Sequence, residues 1–298
     1  MSRRALLVLG AIGGVGVVLL WPASLSAQTL DRIVNTYQVE SANWLERMLP
    51  VAQATFALLA AIEFAISGLL WGLRRSSFDQ ILAAAIRKFL LLSFLFTLIS
   101  AFPLFLPYIS RGFEWAGQTA SGESAVNPTE VLNLGIELST EILHAIPGVS
   151  GFHIVGMIVT AFAALVILLA YAAIAAQLVL VLVESYIVLS GGILFLGFAG
   201  FRGTATFADN YLNWAFHVGI KIFLLYLLVG VGVSISHSWV AELEVLIERD
   251  VFAAVEAVLG GTLVFLVLVW KIPHTVASHL SAGATFRLQD ALRGGHEG

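Results

Sequence analysis

GFHIVGMIVTAFAALVILLAYAAIAAQLVLVLVESYIVLSGGILFLGFAGF, residues 151–201, holds one side chain of full charge, Glu184, and one histidine, His153, near its start. A helix of about fifty residues is roughly 75 Å long, against a bilayer hydrocarbon core of roughly 30 Å. One simple crossing does not use it up. Its last part is crowded by Gly191, Gly192, Gly197 and Gly200, with Gly203 just beyond, and glycine weakens helix continuity and permits sharp turns. The pattern predicts one long helix to about Ser190, overshooting the outer membrane face. A glycine-rich bent or re-entrant piece then follows near the inner face.

The rest of the chain has the same character. Of 298 residues, 59% are hydrophobic and 11% charged, and the mean hydropathy is +0.94. A soluble domain carries about a quarter charged residues. The apolar runs are continuous and lack a period of two, which excludes a β-barrel. The fold class is all-α: a polytopic helical membrane protein. The net charge of −4 gives no bulk nucleic-acid affinity, and the absence of cysteine excludes disulfides and thiolate metal sites.

Arg3 and Arg4, the apolar run 5–20 and the small residues 23–27 resemble a secretory signal peptide over residues 1–27. An uncleaved first helix is the other reading, and both place Gln28 outside. Residues 28–50 form an external amphipathic segment, with Leu30, Ile33, Val34, Tyr37, Leu45 and Met48 on one side. A first span follows at 51–73 and a second at 89–109, which Pro103 and Pro107 bend or end. The link 74–88 between them carries Arg74, Arg75, Arg87 and Lys88 against Asp79, and basic loops are cytoplasmic.

Residues 110–150 are an external acidic segment with five glutamates against Arg111. Asn127 and Pro128 open a helix there, as N-cap and first-turn proline, with Glu130 three residues on. Val131, Leu134, Leu138 and Ile142 make its apolar face. That face suits a protein partner better than an anionic membrane surface; packing on the chain's own external segments is the alternative. Residues 151–270 hold the long apolar helix, the glycine-rich bend and two further spans, at 211–234 and 251–270. A loop at 236–250 carries four acids against Arg249. Residues 271–298 form a basic tail.

Charge sidedness decides the crossing number. If 151–201 makes one net crossing, both acidic segments lie outside and every basic link inside. Trp44, Trp115 and Trp239 then fall at the outer interface, Trp71, Trp214 and Trp270 at the inner. The expectation is five net crossings, with the mature N-terminus outside and the C-terminus inside.

Few polar groups lie at membrane depth: Glu63, Gln177, Glu184, Lys221 and, near the outer end of the last span, Glu256. A charge there costs roughly 2.5–3.5 kcal/mol on insertion scales unless paired or wetted. Glu63–Lys221 and Glu184–Lys221 are the two candidate pairings. Glu63 lies opposite a stripe of small residues, Ala61, Ala65, Gly68 and Gly72, which suits close helix packing. No catalytic motif, cofactor site or metal-ligand run is present in the sequence, so no enzymatic activity is expected.

The motifs FALLAAIEFAISGLLW, NPTEVLNLGIEL, ESYIVLSGGILFLGFAGFRGT and NYLNWAFHVGIKIFLLYLLVGVG, with a final WKIP, resemble the TrbL family. These are the conjugal-transfer members of the polytopic inner-membrane subunits of type IV secretion systems. The resemblance covers nearly the whole chain. Where the family pattern has a tryptophan after the arginine, this chain has Arg202-Gly203-Thr204. The resemblance implies a non-enzymatic channel or assembly-platform subunit in the bacterial inner membrane, at the base of the stalk and pilus. It implies a homo-oligomer in the lipid bilayer that meets stalk, pilin, inner-membrane scaffold and ATPase subunits, and transient contact with a translocated DNA–protein substrate. The competing reading is a self-contained small-solute or ion transporter using Glu63, Glu184 and Lys221. Transporters of that kind show repeated halves and paired broken helices, whereas this chain has one glycine-rich interruption.

Overall fold

The computed structural model describes residues 29–73, 77–123, 126–144 and 154–283. The signal peptide, Arg74 and Arg75, and the tail beyond 283 lie outside the described residues. The described chain is helical, with no strand. Five helical segments are long and apolar enough to cross a membrane. In order the elements are α1 (Thr29–Leu73), α2 (Phe78–Ser121), α3 (Pro128–His144) and α4 (Ile154–Tyr186). A π-helical turn (Ile187–Gly191), a short α5 (Ile193–Gly197) and a 3-10 turn (Phe198–Gly200) follow, then α6 (Ala205–Arg249) and α7 (Val251–Gly283).

The helices are longer than the spans predicted for them. The 45 residues of α1 contain both the amphipathic lead-in and the first span, with Pro50 inside and exposed. Likewise α2 runs through Pro103 and Pro107 to Ser121, so the prolines do not end it. Helices tolerate such prolines at the cost of one backbone bond and a local bend. The acidic 236–250 stretch is not a loop either: α6 continues to Arg249, and the reversal takes place at Asp250. There the Asp250 Oδ1 accepts from the backbone N–H of Phe252 at 3.0 Å and of Ala253 at 3.3 Å, capping α7.

The chain forms two compact units. One is built from Tyr37–Phe113 and Val183–Lys221 with the end of α7. In it α1 and α2 pair antiparallel. The Gln53 amide donates to Ser100 Oγ at 3.0 Å, the rings of Phe56 and Phe96 lie 5.9 Å apart, and further along α1 Glu63 meets Lys88. Ala52, Phe56, Glu63 and Ser67, at helical spacing, form the buried face of α1. Against this face lies the glycine-rich piece. A Cβ on Gly197 would sit 2.6 Å from the Ala52 carbonyl oxygen, and one on Gly200 2.5 Å from that of Phe56. Both contacts are with backbone, so glycine is what lets the two segments touch. A side chain at Gly192 would strike the Tyr211 ring, whereas Gly191 faces open space. Gly200→Val should therefore lose about 1–3 kcal/mol by overpacking, while Gly191→Ala should be near neutral. Thermal unfolding of the two variants in detergent, side by side, checks the contrast.

The other unit comprises Glu114–Leu182 and Ile222–Thr275 with the start of α1. Here α3 lies antiparallel on α4. Gly135 sits against the Tyr171 ring, and the Ser139 hydroxyl donates to the Ala164 carbonyl at 3.0 Å. The predicted cap is present: the Glu130 N–H donates to Asn127 Oδ1 at 2.7 Å. Val131, Leu134, Leu138 and Ile142, the apolar face of α3, are buried in the folded chain. Of the two readings of this face, burial favours packing on the chain's own segments over docking of a partner. An amphipathic helix signals that one side is covered, and here the chain's own α4 supplies cover. Tyr171 holds the unit's middle, bonded to Ser236 Oγ at 2.5 Å and edge-on to Phe265 at 6.1 Å.

Candidate functional site

Two charge clusters sit in the apolar helices of the Tyr37–Phe113 unit. The first is centred on Glu63, whose side chain is 0% exposed. One carboxylate oxygen accepts from the Lys88 ammonium and the Ser67 hydroxyl, and Lys88 also contacts Ser67 Oγ. The other accepts from the backbone N–H of Arg202 at 3.2 Å, with Arg202 Nε 3.8 Å away. A buried carboxylate needs such a shell of donors, since removing it from water costs several kcal/mol. The arrangement does one definite thing: it ties the turn after the glycine-rich piece to the α1–α2 hairpin.

The turn itself is shaped for this. After the 3-10 turn the chain extends at Phe201, with φ −131° and ψ 130°. The Thr204 hydroxyl then donates to the Phe198 carbonyl at 2.9 Å, and α6 starts at Ala205. An extended residue leaves the following N–H of Arg202 unpaired by helix, and Glu63 takes it.

The second cluster is Lys221 with Glu184, Nζ to Oε2 2.5 Å. Lys221 is 2% exposed and Glu184 27%. Of the two candidate partners for Lys221, the structure brings Glu184 to it; Glu63 is engaged by Lys88 and Arg202. Gln177, on the same helix as Glu184, is buried in the other unit. Glu256 is exposed.

The small stripe lies on the outside of the folded chain. Ala61, Ala65, Gly68 and Gly72 are exposed, with open space around both glycines. The side of α1 buried within the chain is the one bearing Glu63. Outside the spans, burial raises the Glu130 carboxyl above its ordinary value of 4.5, opposed by the nearby His237 and reinforced by Glu123. Among the described residues no cluster of histidines and carboxylates could hold a metal ion.

Sequence reasoning missed Lys88, Arg202 and Ser67 as partners of Glu63. Lys88 was read as a loop cation because the apolar run begins after it. Since α2 starts at Phe78, Lys88 is in fact well inside a helix. Ser67, four residues after Glu63 on one helix face, was the available signal.

Five long apolar helices among the described residues, with Glu63 and Lys221 each meeting an opposite charge, define a polytopic helical membrane protein. Residues 60–272 match the family described as TrbL/VirB6 plasmid conjugal transfer protein. That span is well over half of the chain, and the chain belongs to this family. It contains Glu63, Lys88, Glu184, Arg202 and Lys221. Among curated relatives, the conjugal transfer protein TrbL of Rhizobium radiobacter is 24% identical over 291 residues, covering 94% of this chain and 71% of that protein. The probable conjugal transfer protein TrbL of Sinorhizobium fredii (strain NBRC 101917 / NGR234) is 24% identical over 272 residues, covering 89% and 67%.

Proposed function

We propose that this protein is a non-enzymatic inner-membrane subunit of a conjugative type IV secretion system, acting as a channel or assembly platform at the base of the stalk and pilus. The observation that carries the reading is the family match over residues 60–272. A scaffold is compatible with the geometry, in which Glu63 is held by Lys88 and Arg202, and Glu184 by Lys221.

Within this reading the mature N-terminus is periplasmic and the C-terminus cytoplasmic. The α4 helix projects from the outer face of the bilayer. Support comes from α3, which lies along α4 near Ala164 and Tyr171 with Glu137 exposed on its other face; such a face belongs in water. The exposed stripe Ala61, Ala65, Gly68 and Gly72 is a packing face for another helix, as in a homo-oligomer, since small residues let backbones approach. Stalk, pilin, scaffold and ATPase subunits are the remaining partners, with transient contact to a DNA–protein substrate. Deleting the gene in a donor strain should reduce plasmid transfer to background, and supplying it in trans should restore it. Undiminished transfer from the deletion strain would remove the reading.

A further inference from the structure

A cleft of about 470 Å³ opens in the Tyr37–Phe113 unit, between α1, α2 and the π-helical turn. Its size and largely apolar lining are those of a site for one small amphiphile, for which volumes of roughly 300–1,000 Å³ are usual. The floor is Leu45, Leu189 and the buried Ser41 and Ser190. The Ser41 hydroxyl is already used, donating to the Gln38 carbonyl of its own helix at 2.8 Å. At the rim stand two exposed side chains of opposite charge, Glu46 and Arg111. Neither is in an ion pair among the described residues.

The position along the helices matters as much as the lining. Glu46 precedes the apolar run that begins at Val51, and Arg111 follows the one that ends at Ile109. Both charges therefore mark the place where an apolar segment gives way to a polar one, which is the level of lipid headgroups. One wall is the π-helical turn, a local widening of the helix of the kind often found at binding sites.

We infer that this cleft binds one phospholipid with a zwitterionic headgroup. An acyl chain lies on the Leu45–Leu189 floor, the phosphate meets the Arg111 guanidinium, and the headgroup ammonium meets Glu46. Arginine pairs phosphate through two parallel N–H donors, and the carboxylate supplies the complementary acceptor for an ammonium. A headgroup of one sign would satisfy only one of the two side chains.

The test is native mass spectrometry of the full-length protein, extracted in mild detergent and titrated separately with dioleoyl phosphatidylethanolamine, dioleoyl phosphatidylglycerol and dioleoylglycerol. One phosphatidylethanolamine per chain should be retained in preference to the other two. The pair Glu46→Gln with Arg111→Gln should weaken retention at least tenfold, and Ala42→Trp, which fills the cleft from an exposed position, should do the same. Helix content by circular dichroism should be unchanged in both. Equal retention of all three lipids, or retention unaffected by either variant, would mean only annular lipid and would overturn the assignment. A photo-cross-linking residue at position 42 that captures a protein helix rather than lipid in native membranes would overturn it too.

Discussion

Glu63→Ala should destabilise the protein by about 3–5 kcal/mol, the usual cost of removing one partner from a buried ion pair. Lys88 would be left with no carboxylate and a side chain only 12% exposed. The Arg202 N–H would lose its acceptor as well. Thermal unfolding in detergent reads the loss. Glu63→Gln, which keeps an acceptor for that N–H but not the charge, should fall between wild type and alanine. The double variant Glu63→Leu with Lys88→Met removes the stranded charge but still leaves the N–H unmatched, so its recovery should be partial. Full recovery would show that the turn after Gly200 does not depend on Glu63.

The second cluster predicts an asymmetry. Glu184→Ala strands Lys221, which is 2% exposed, and should cost about 3–5 kcal/mol. Lys221→Met leaves Glu184, which keeps 27% of its side chain exposed and can recruit water, so its cost should be clearly smaller. The pair Glu184→Leu with Lys221→Met should return to near wild-type stability, because buried ion pairs often break even against apolar side chains of similar volume. Equal cost for the two single variants would contradict the burial seen here. A path for protons or ions through this pair would show differently: the stable double variant would then lose function. Plasmid transfer by a donor carrying it separates the two roles, and the scaffold reading expects transfer to persist.

Much of this architecture was legible in the residues. Continuous apolar runs without a period of two allow only helices in a bilayer, and Asn127-Pro128 marked the start of α3. The glycine crowding from 191 to 200 marked the place where α4 gives way to π and 3-10 turns. Helix continuity was less legible. Pro103 and Pro107 read as bending or ending the second span, yet a proline costs one bond in a 44-residue helix that retains dozens, and packing decides. The apolar face of α3 announced burial without naming its cover, because periodicity carries no information about which neighbour arrives. The partners of Glu63 were hidden for a similar reason. Lys88 and Arg202 are far from it in sequence, and only the α1–α2 hairpin and the close approach allowed by Gly197 and Gly200 bring them together.

The proposed topology has five crossings, with residues 28–50 outside and the C-terminal tail inside, and the absence of cysteine makes it directly measurable. Single cysteines at Ser238 and Ser278, both exposed positions, are treated in intact cells with a membrane-impermeant thiol reagent. The account predicts labelling at 238 before lysis and at 278 only after it. Labelling of 278 in intact cells, or protection of 238, would contradict it.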